Sequence, residues 1–210
     1  AAAYQKAPPE TSQFKQWFGA SKIMEEGRPQ VMYHASPEDF DVFRENKPIF
    51  VSPNAEEAHY FGNRHYTGDV NVYPLWVRAE TPFDYENADH VSAVMKQMEE
   101  DGTLKGKKEA FFNRGQWENI EDKDVQAAIK KLGFDSFYVT EFKQKNLAVY
   151  SANQVKSVTG NIGEFSRETK DIRYSLRKFD SDDLPKKDAP FTLPENTMIF
   201  HGAHKETAQK

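Results

Sequence analysis

Tyr33-His34-Ala35-Ser36, Ile49-Phe50-Val51-Ser52-Pro53 and Asn146-Leu147-Ala148-Val149-Tyr150 decide how this chain is read. Val31-Met32-Tyr33-His34 is a short strand with a polar end, and Ile49 to Val51 is a second. Ser52-Pro53 then gives an N-cap followed by proline at the first helical position, which predicts a helix through Tyr60. Leu147 to Tyr150 is a later strand. Each stretch is weak alone; their order and separation carry the information.

Working outward, Thr11 is a plausible N-cap, and Phe14, Trp17 and Phe18 fall at helical spacing before Gly19 ends the segment. Val70 to Ala79 reads as a long strand, and Pro74 within it favours an edge or a bulge. His90 to Glu100 is a helix presenting Val91, Val94, Met95 and Met98. Residues 101–118 are lysine-rich and give no clear pattern. Asp122 or Asp124 caps a helix whose face is Val125, Ala128, Ile129 and Leu132, with Gly133 as the stop. Phe134 to Val139 is a strand, and the stretch near Val155 continues the sheet. Mixed strands and helices without a regular βαβ rhythm argue for α+β. From about Arg177 the charged, proline-rich composition reads as a tail or linker.

The chain has 210 residues, enough for one domain with a buried core, or one domain and a tail. Its net charge of −5 disfavours non-specific nucleic-acid binding through the global field. The absence of cysteine excludes disulfides, a thiolate nucleophile and Cys-based zinc sites. No His-Glu-x-x-His helix or Gly-rich phosphate loop occurs, so no metal is expected. No apolar run approaches the roughly 18 residues that span a bilayer. With no secretory h-region visible, the expected location is the cytoplasm. Sixteen Phe, nine Tyr and three Trp are enough both to fill a core and to line a pocket for a planar ligand.

In order and spacing the three stretches resemble the split NAD-binding core of ADP-ribosyltransferases, in the His-Tyr-Glu branch that includes diphtheria toxin and the poly-ADP-ribose polymerases. They resemble most the ADP-ribosyltransferase-like domains in polyvalent proteins of phages and mobile elements. The framing stretches Phe14-Lys15-Gln16-Trp17-Phe18-Gly19 and Lys156-Ser157-Val158-Thr159-Gly160-Asn161-Ile162-Gly163-Glu164-Phe165 carry the same resemblance. It covers residues 12–176, leaving 1–11 as an extension and 177–210 as the tail. It implies an α+β split β-core of two small sheets with flanking helices, an NAD cleft between the sheets, and NAD as substrate.

The resemblance also implies roles. His34 would bond an adenosine-ribose hydroxyl, and the backbone of Ala35 would meet the nicotinamide amide. The family usually has Gly at that position, so Ala35 needs a negative φ. Ser36 takes the usual Ser/Thr place, and Ser52 joins the same cofactor-contacting set. Phe50 falls where the branch carries Tyr and would stack on nicotinamide, with Tyr60 as the second wall; Phe50 reads equally as core packing, whereas Tyr60 reads more as a ligand wall than as packing. Arg64 and His65 follow closely enough to touch the pyrophosphate, although a solvated loop explains them better. The family's catalytic Glu is replaced here by Asn146, which can hydrogen-bond but brings no charge. Gln144 precedes it in the loop, and Glu141 is the nearest carboxylate in sequence.

The implied function is NAD-dependent mono-ADP-ribosylation of a macromolecule by a phage or mobile-element anti-defence factor or toxin module inside a bacterial host. The acceptor would be protein or nucleic acid, within a larger polyprotein or opposed by an immunity protein or antitoxin, with no membrane partner. Two alternatives stay open. One is a catalytically inactive ADP-ribosyltransferase fold acting as a binding module. The other is a ribonuclease toxin using His34 or His65 with a lysine. The missing Glu favours the first, and the lack of a clustered basic groove disfavours the second.

Overall fold

A computed structural model describes residues 8–106, 112, 117–141, 144–161, 163 and 165–173. The tail, its Ile199-Phe200-His201-Gly202-Ala203-His204 stretch and most of the lysine-rich segment lie outside the described residues.

Helix α1 is Ser12–Phe18, capped by the Thr11 side chain, which accepts from Phe14 N. Gly19 ends it at φ 56°. Its aromatics bury against Trp76, Val158 and Phe165. A two-stranded ribbon that the sequence did not suggest follows, β1 (Met24–Glu25) with β2 (Arg28–Pro29).

Two further sheets make the body. In the first, β3 (Val31–Ser36) pairs antiparallel with β5 (Asn71–Val77), which pairs with β9 (Val155–Ser157). In the second, the order is β4 (Ile49–Val51), β8 (Gln144–Val149), β7 (Ser136–Glu141), β6 (Pro82–Phe83). All its pairings are antiparallel except β6 with β7. The fold is thus α+β, with small sheets and flanking helices, as expected. The sheets are stitched together where Tyr33 and Ser52 exchange backbone bonds of 2.7 and 2.9 Å.

Side-chain alternation along the strands builds two cores. Met32, Leu75 and Val77 from the first sheet meet Ile49, Val51, Leu147 and Val149 from the second. The other face of the second sheet, with Phe137, Val139 and Ala148, is covered by α3 (Ala88–Glu100) and α4 (Lys123–Lys131). Apolar side chains of the two sheets thus pack against each other between them.

Several expectations are corrected. Pro74 lies in a central strand, not at an edge. Its carbonyl faces β9 and accepts from Val158 N at 3.0 Å, so its nitrogen points the same way, just past the end of the β9 ladder. No pairing donor is lost there. β9 does not continue the sheet of β8; it crosses to the first sheet. Helix α2 (Ala55–His65) starts at Asn54, not Ser52-Pro53, and runs on past Tyr60. The Asn54 side chain accepts from both Glu56 N and Glu57 N, which outcompetes a Ser-Pro start. Asp122, not Asp124, caps α4, and Leu132 is 39% exposed at its C-cap rather than on the buried face.

Candidate active site

A cleft of about 380 Å³ opens between α2 and the β7–β8 hairpin, lined by Asn54, Glu57, Tyr60 and Gln144. Its floor follows from sheet register. Phe137 opposes Ala148, Val139 opposes Asn146, and Glu141 opposes Gln144, so these six side chains share one face of the second sheet. Phe50, opposite Ala148, shares it too. Along that face the character changes from apolar to polar: Phe137, Ala148 and Val139 lie under α3 and α4, whereas Asn146, Glu141 and Gln144 extend toward α2.

Of the expected catalytic group, Glu141, Gln144 and Asn146 come together. Asn146 is 4% exposed, and its Oδ1 has no hydrogen-bond partner. The Asn146 amide donates toward two carboxylates, Glu141 and Glu57. Burial pushes Glu141 up from the usual carboxylate value, and the neighbouring Glu57 charge pushes it further; His65 opposes this. Burial likewise raises Glu57 against hydrogen bonds from Ser52 and Asn146.

Glu57 was missed in the sequence. A signal was present: Glu57, Tyr60 and Arg64 stand at i, i+3 and i+7, one stripe of a helix. Tyr60 projects from that stripe, 51% exposed, and Arg64 is exposed beyond it. Phe50 is not among the lining residues. Its half-buried ring packs on the lower apolar face, edge-on to Phe137 at 6.0 Å.

The first motif occupies the seam between the sheets. His34 Nδ1 donates to the Phe50 carbonyl at 2.8 Å, because a carbonyl can only accept. Its ring lies edge-on to Phe43 at 4.9 Å and to Phe40 at 6.1 Å. Burial lowers its pKa, so at neutral pH the ring is uncharged and Nε2 is an acceptor. Ala35 faces α2, where a Cβ on Gly62 would sit 2.6 Å from the Ala35 Cβ. This close approach demands two small residues. Glu26 is the one described non-glycine with positive φ, so Ala35 meets its backbone requirement. Ser36 Oγ accepts from Glu38 N at 3.2 Å and ends the strand. Ser52, 4% exposed, accepts from Asn54 N at 3.1 Å and donates to Glu57 Oε2 at 3.2 Å.

Among the described residues no group of three His, Asp or Glu side chains is placed to hold a metal. No described helix is long and apolar enough to cross a membrane. The site brings together neutral acceptors, two half-buried acids and an exposed ring, which suits a polar, planar-ended organic ligand.

No curated protein matches the chain. A solved structure described as the crystal structure of an anti-CRISPR protein is similar at a TM-score of 0.39 and 15% identity, over 57% of this chain and 88% of that one. A likeness that low carries no argument. A family model described as ADP-ribosyltransferase in polyvalent proteins matches residues 25–165, from β1 through the sheets to the segment after β9. The chain belongs to this family of ADP-ribosyltransferases in polyvalent proteins.

Proposed function

We propose that this domain, spanning residues 12–176, transfers a single ADP-ribosyl group from NAD to a macromolecular acceptor. The observation that carries the reading is the pair of buried, unpartnered oxygens beside the cleft, Glu57 Oε1 and Asn146 Oδ1. Buried polar atoms without partners cost free energy, and a hydroxyl-rich ligand would supply the missing donors. Tyr60 offers a ring face for nicotinamide, and Arg64, further along α2, offers charge for a pyrophosphate. His34, neutral with Nε2 as acceptor, suits a ribose hydroxyl. The family's place in polyvalent proteins supports a setting in a phage or mobile-element protein, with action on host defences in the bacterial cytoplasm as part of the proposal.

Asn146 favours a second reading, an inactive fold that binds a partner or NAD without turnover, since an amide brings no charge to the sugar. Incubation of the full chain with labelled NAD in bacterial lysate separates the two. Label on protein or nucleic acid, or free ADP-ribose above the uncatalysed rate, supports transfer. NAD binding without any of these supports the inactive fold. No binding at millimolar NAD removes both.

A further inference from the structure

We infer that Glu57 is the catalytic carboxylate of this site, reaching the nicotinamide ribose from helix α2 and replacing the charge that strand β8 lacks at Asn146. The inference rests on the transfer reading above.

Position is the first argument. Glu57 is the third residue of α2, where a glutamate ordinarily folds back to bond the N-cap N–H. That job is taken: Asn54 N donates to Ser52 Oγ at 3.1 Å. Glu57 is turned aside instead. The Ser52 hydroxyl holds its Oε2 at 3.2 Å, and its Oε1 is left buried without a partner. It lines the cleft with Tyr60 and Gln144, which Glu141 does not. A residue with its usual structural role filled by a neighbour, then held by the Ser52 hydroxyl at a cleft wall, is placed for a ligand.

The second argument explains Asn146. Its amide serves both Glu57 and Glu141. A glutamate at 146 would set a third like charge among these two, each of which burial already opposes. Asparagine supplies the same shape with a donor in place of a charge. The substitution and the carboxylate on α2 thus account for each other.

The chemistry balances. The bond from the ribose C1′ to nicotinamide breaks with its electron pair passing to the ring nitrogen, an acceptor lone pair forms the new bond at C1′, and the acceptor's proton leaves to water. Glu57 gains and loses no atom. Positive charge building on the sugar interacts with the half-buried Glu57 carboxylate more strongly in the transition state than before it, which is the condition for rate enhancement.

The test uses the full chain with E57Q, E141Q and the double variant E57Q/N146E. Nicotinamide release, calorimetric NAD affinity and the melting midpoint without NAD are measured for each. E57Q is expected to slow release by on the order of 10²–10³ while NAD affinity stays close to the parent's, as for a contact made only in the transition state. Its midpoint stays level or rises, because one charge of a half-buried like pair is gone. E141Q loses clearly less rate than E57Q, and the double variant, folded, regains rate over E57Q. Parental release by E57Q, or a folded double variant with no recovery, overturns the inference and leaves the transfer reading standing. A lower midpoint with NAD binding lost in step assigns Glu57 to structure and also overturns it. A parent that releases no nicotinamide overturns both.

Discussion

Tyr60 has half its side chain in solvent, whereas Phe50 is pressed edge-on to Phe137. Tyr60→Ala is therefore expected to change the melting midpoint little while weakening NAD binding by about tenfold, the lower part of the ~1–3 kcal/mol that base–aromatic stacking contributes. Phe50→Ala should do the reverse and cost stability on the order of 2–3 kcal/mol, somewhat less than a fully buried Phe. Thermal unfolding and calorimetry on the two variants check both halves. His34 makes a pH prediction. Its folded pKa lies below the ordinary 6.5, so an unfolded chain takes up the proton first as pH falls. Stability is level above about 6.5 and declines on acidification below it. His34→Asn, which keeps a donor for the Phe50 carbonyl, should flatten that decline in urea titrations at pH 7.5 and 5.5. His34 and Asn146 were legible because each sits in a local motif. Glu57 was not, because its direction depends on Ser52 taking a backbone donor, which spacing alone does not reveal.

Short connecting elements carry more than their length suggests. The 3-10 helix Ala152–Gln154 bridges from β8 in one sheet to β9 in the other. Glu45 Oε1 accepts from Ser151 Oγ and Ala152 N, both at 2.8 Å, and its Oε2 is bonded by Lys170. The Lys170 ammonium, with the Ala152 N–H, holds Glu45 at about 2, down from 4.5. Its stabilisation is full above pH 4.5 and is lost as pH falls through about 2. Glu45→Gln should lower stability near pH 7 by about 1–2 kcal/mol, as loss of a helix cap does, and the two proteins should converge below pH 2. Chemical denaturation across that range is the check. The longer strands and the helices were legible from periodicity, down to the Thr11 cap and Gly19 stop, whereas the two-residue strands β1, β2 and β6 were too short to show one. Partners were not: β9 leaves β8's sheet because the intervening turn redirects the chain, and nothing in Val155 to Ser157 announces it. The start of α2 was misread because two residues one position apart, Ser52 and Asn54, both make good caps and the tertiary bond to Tyr33 assigns them.

Over the whole molecule, the segment after β9 is sewn back onto the first sheet. Ser157 N donates to Ile172 O at 2.8 Å, Ile172 N donates to Asp41 O at 2.8 Å, and Ile172 and Phe165 enter separate cores. Lys156, fully buried, donates to the carbonyls of Thr169 and Asp171 at 2.9 and 2.7 Å. Burial pushes its pKa down to about 8 from 10.5. Between those values the folded protein has released a proton that the unfolded chain keeps, so stability gains a rising component from pH 8 to 10.5 and none below 8. Lys156→Met should remove that component, seen as a change in the difference between the two denaturation midpoints at pH 7.5 and 10. The same long-range sewing sets a clock. Tyr60 and Glu57 are made early, but Asn146 and Gln144 come roughly ninety residues later. β4 has no strand neighbour in its own sheet until β8 exists. At about 5–20 residues per second of synthesis, the cleft has only one wall for several seconds on the ribosome. A nascent chain lacks the assembled cleft through that interval, and a product truncated before β8 lacks it for good.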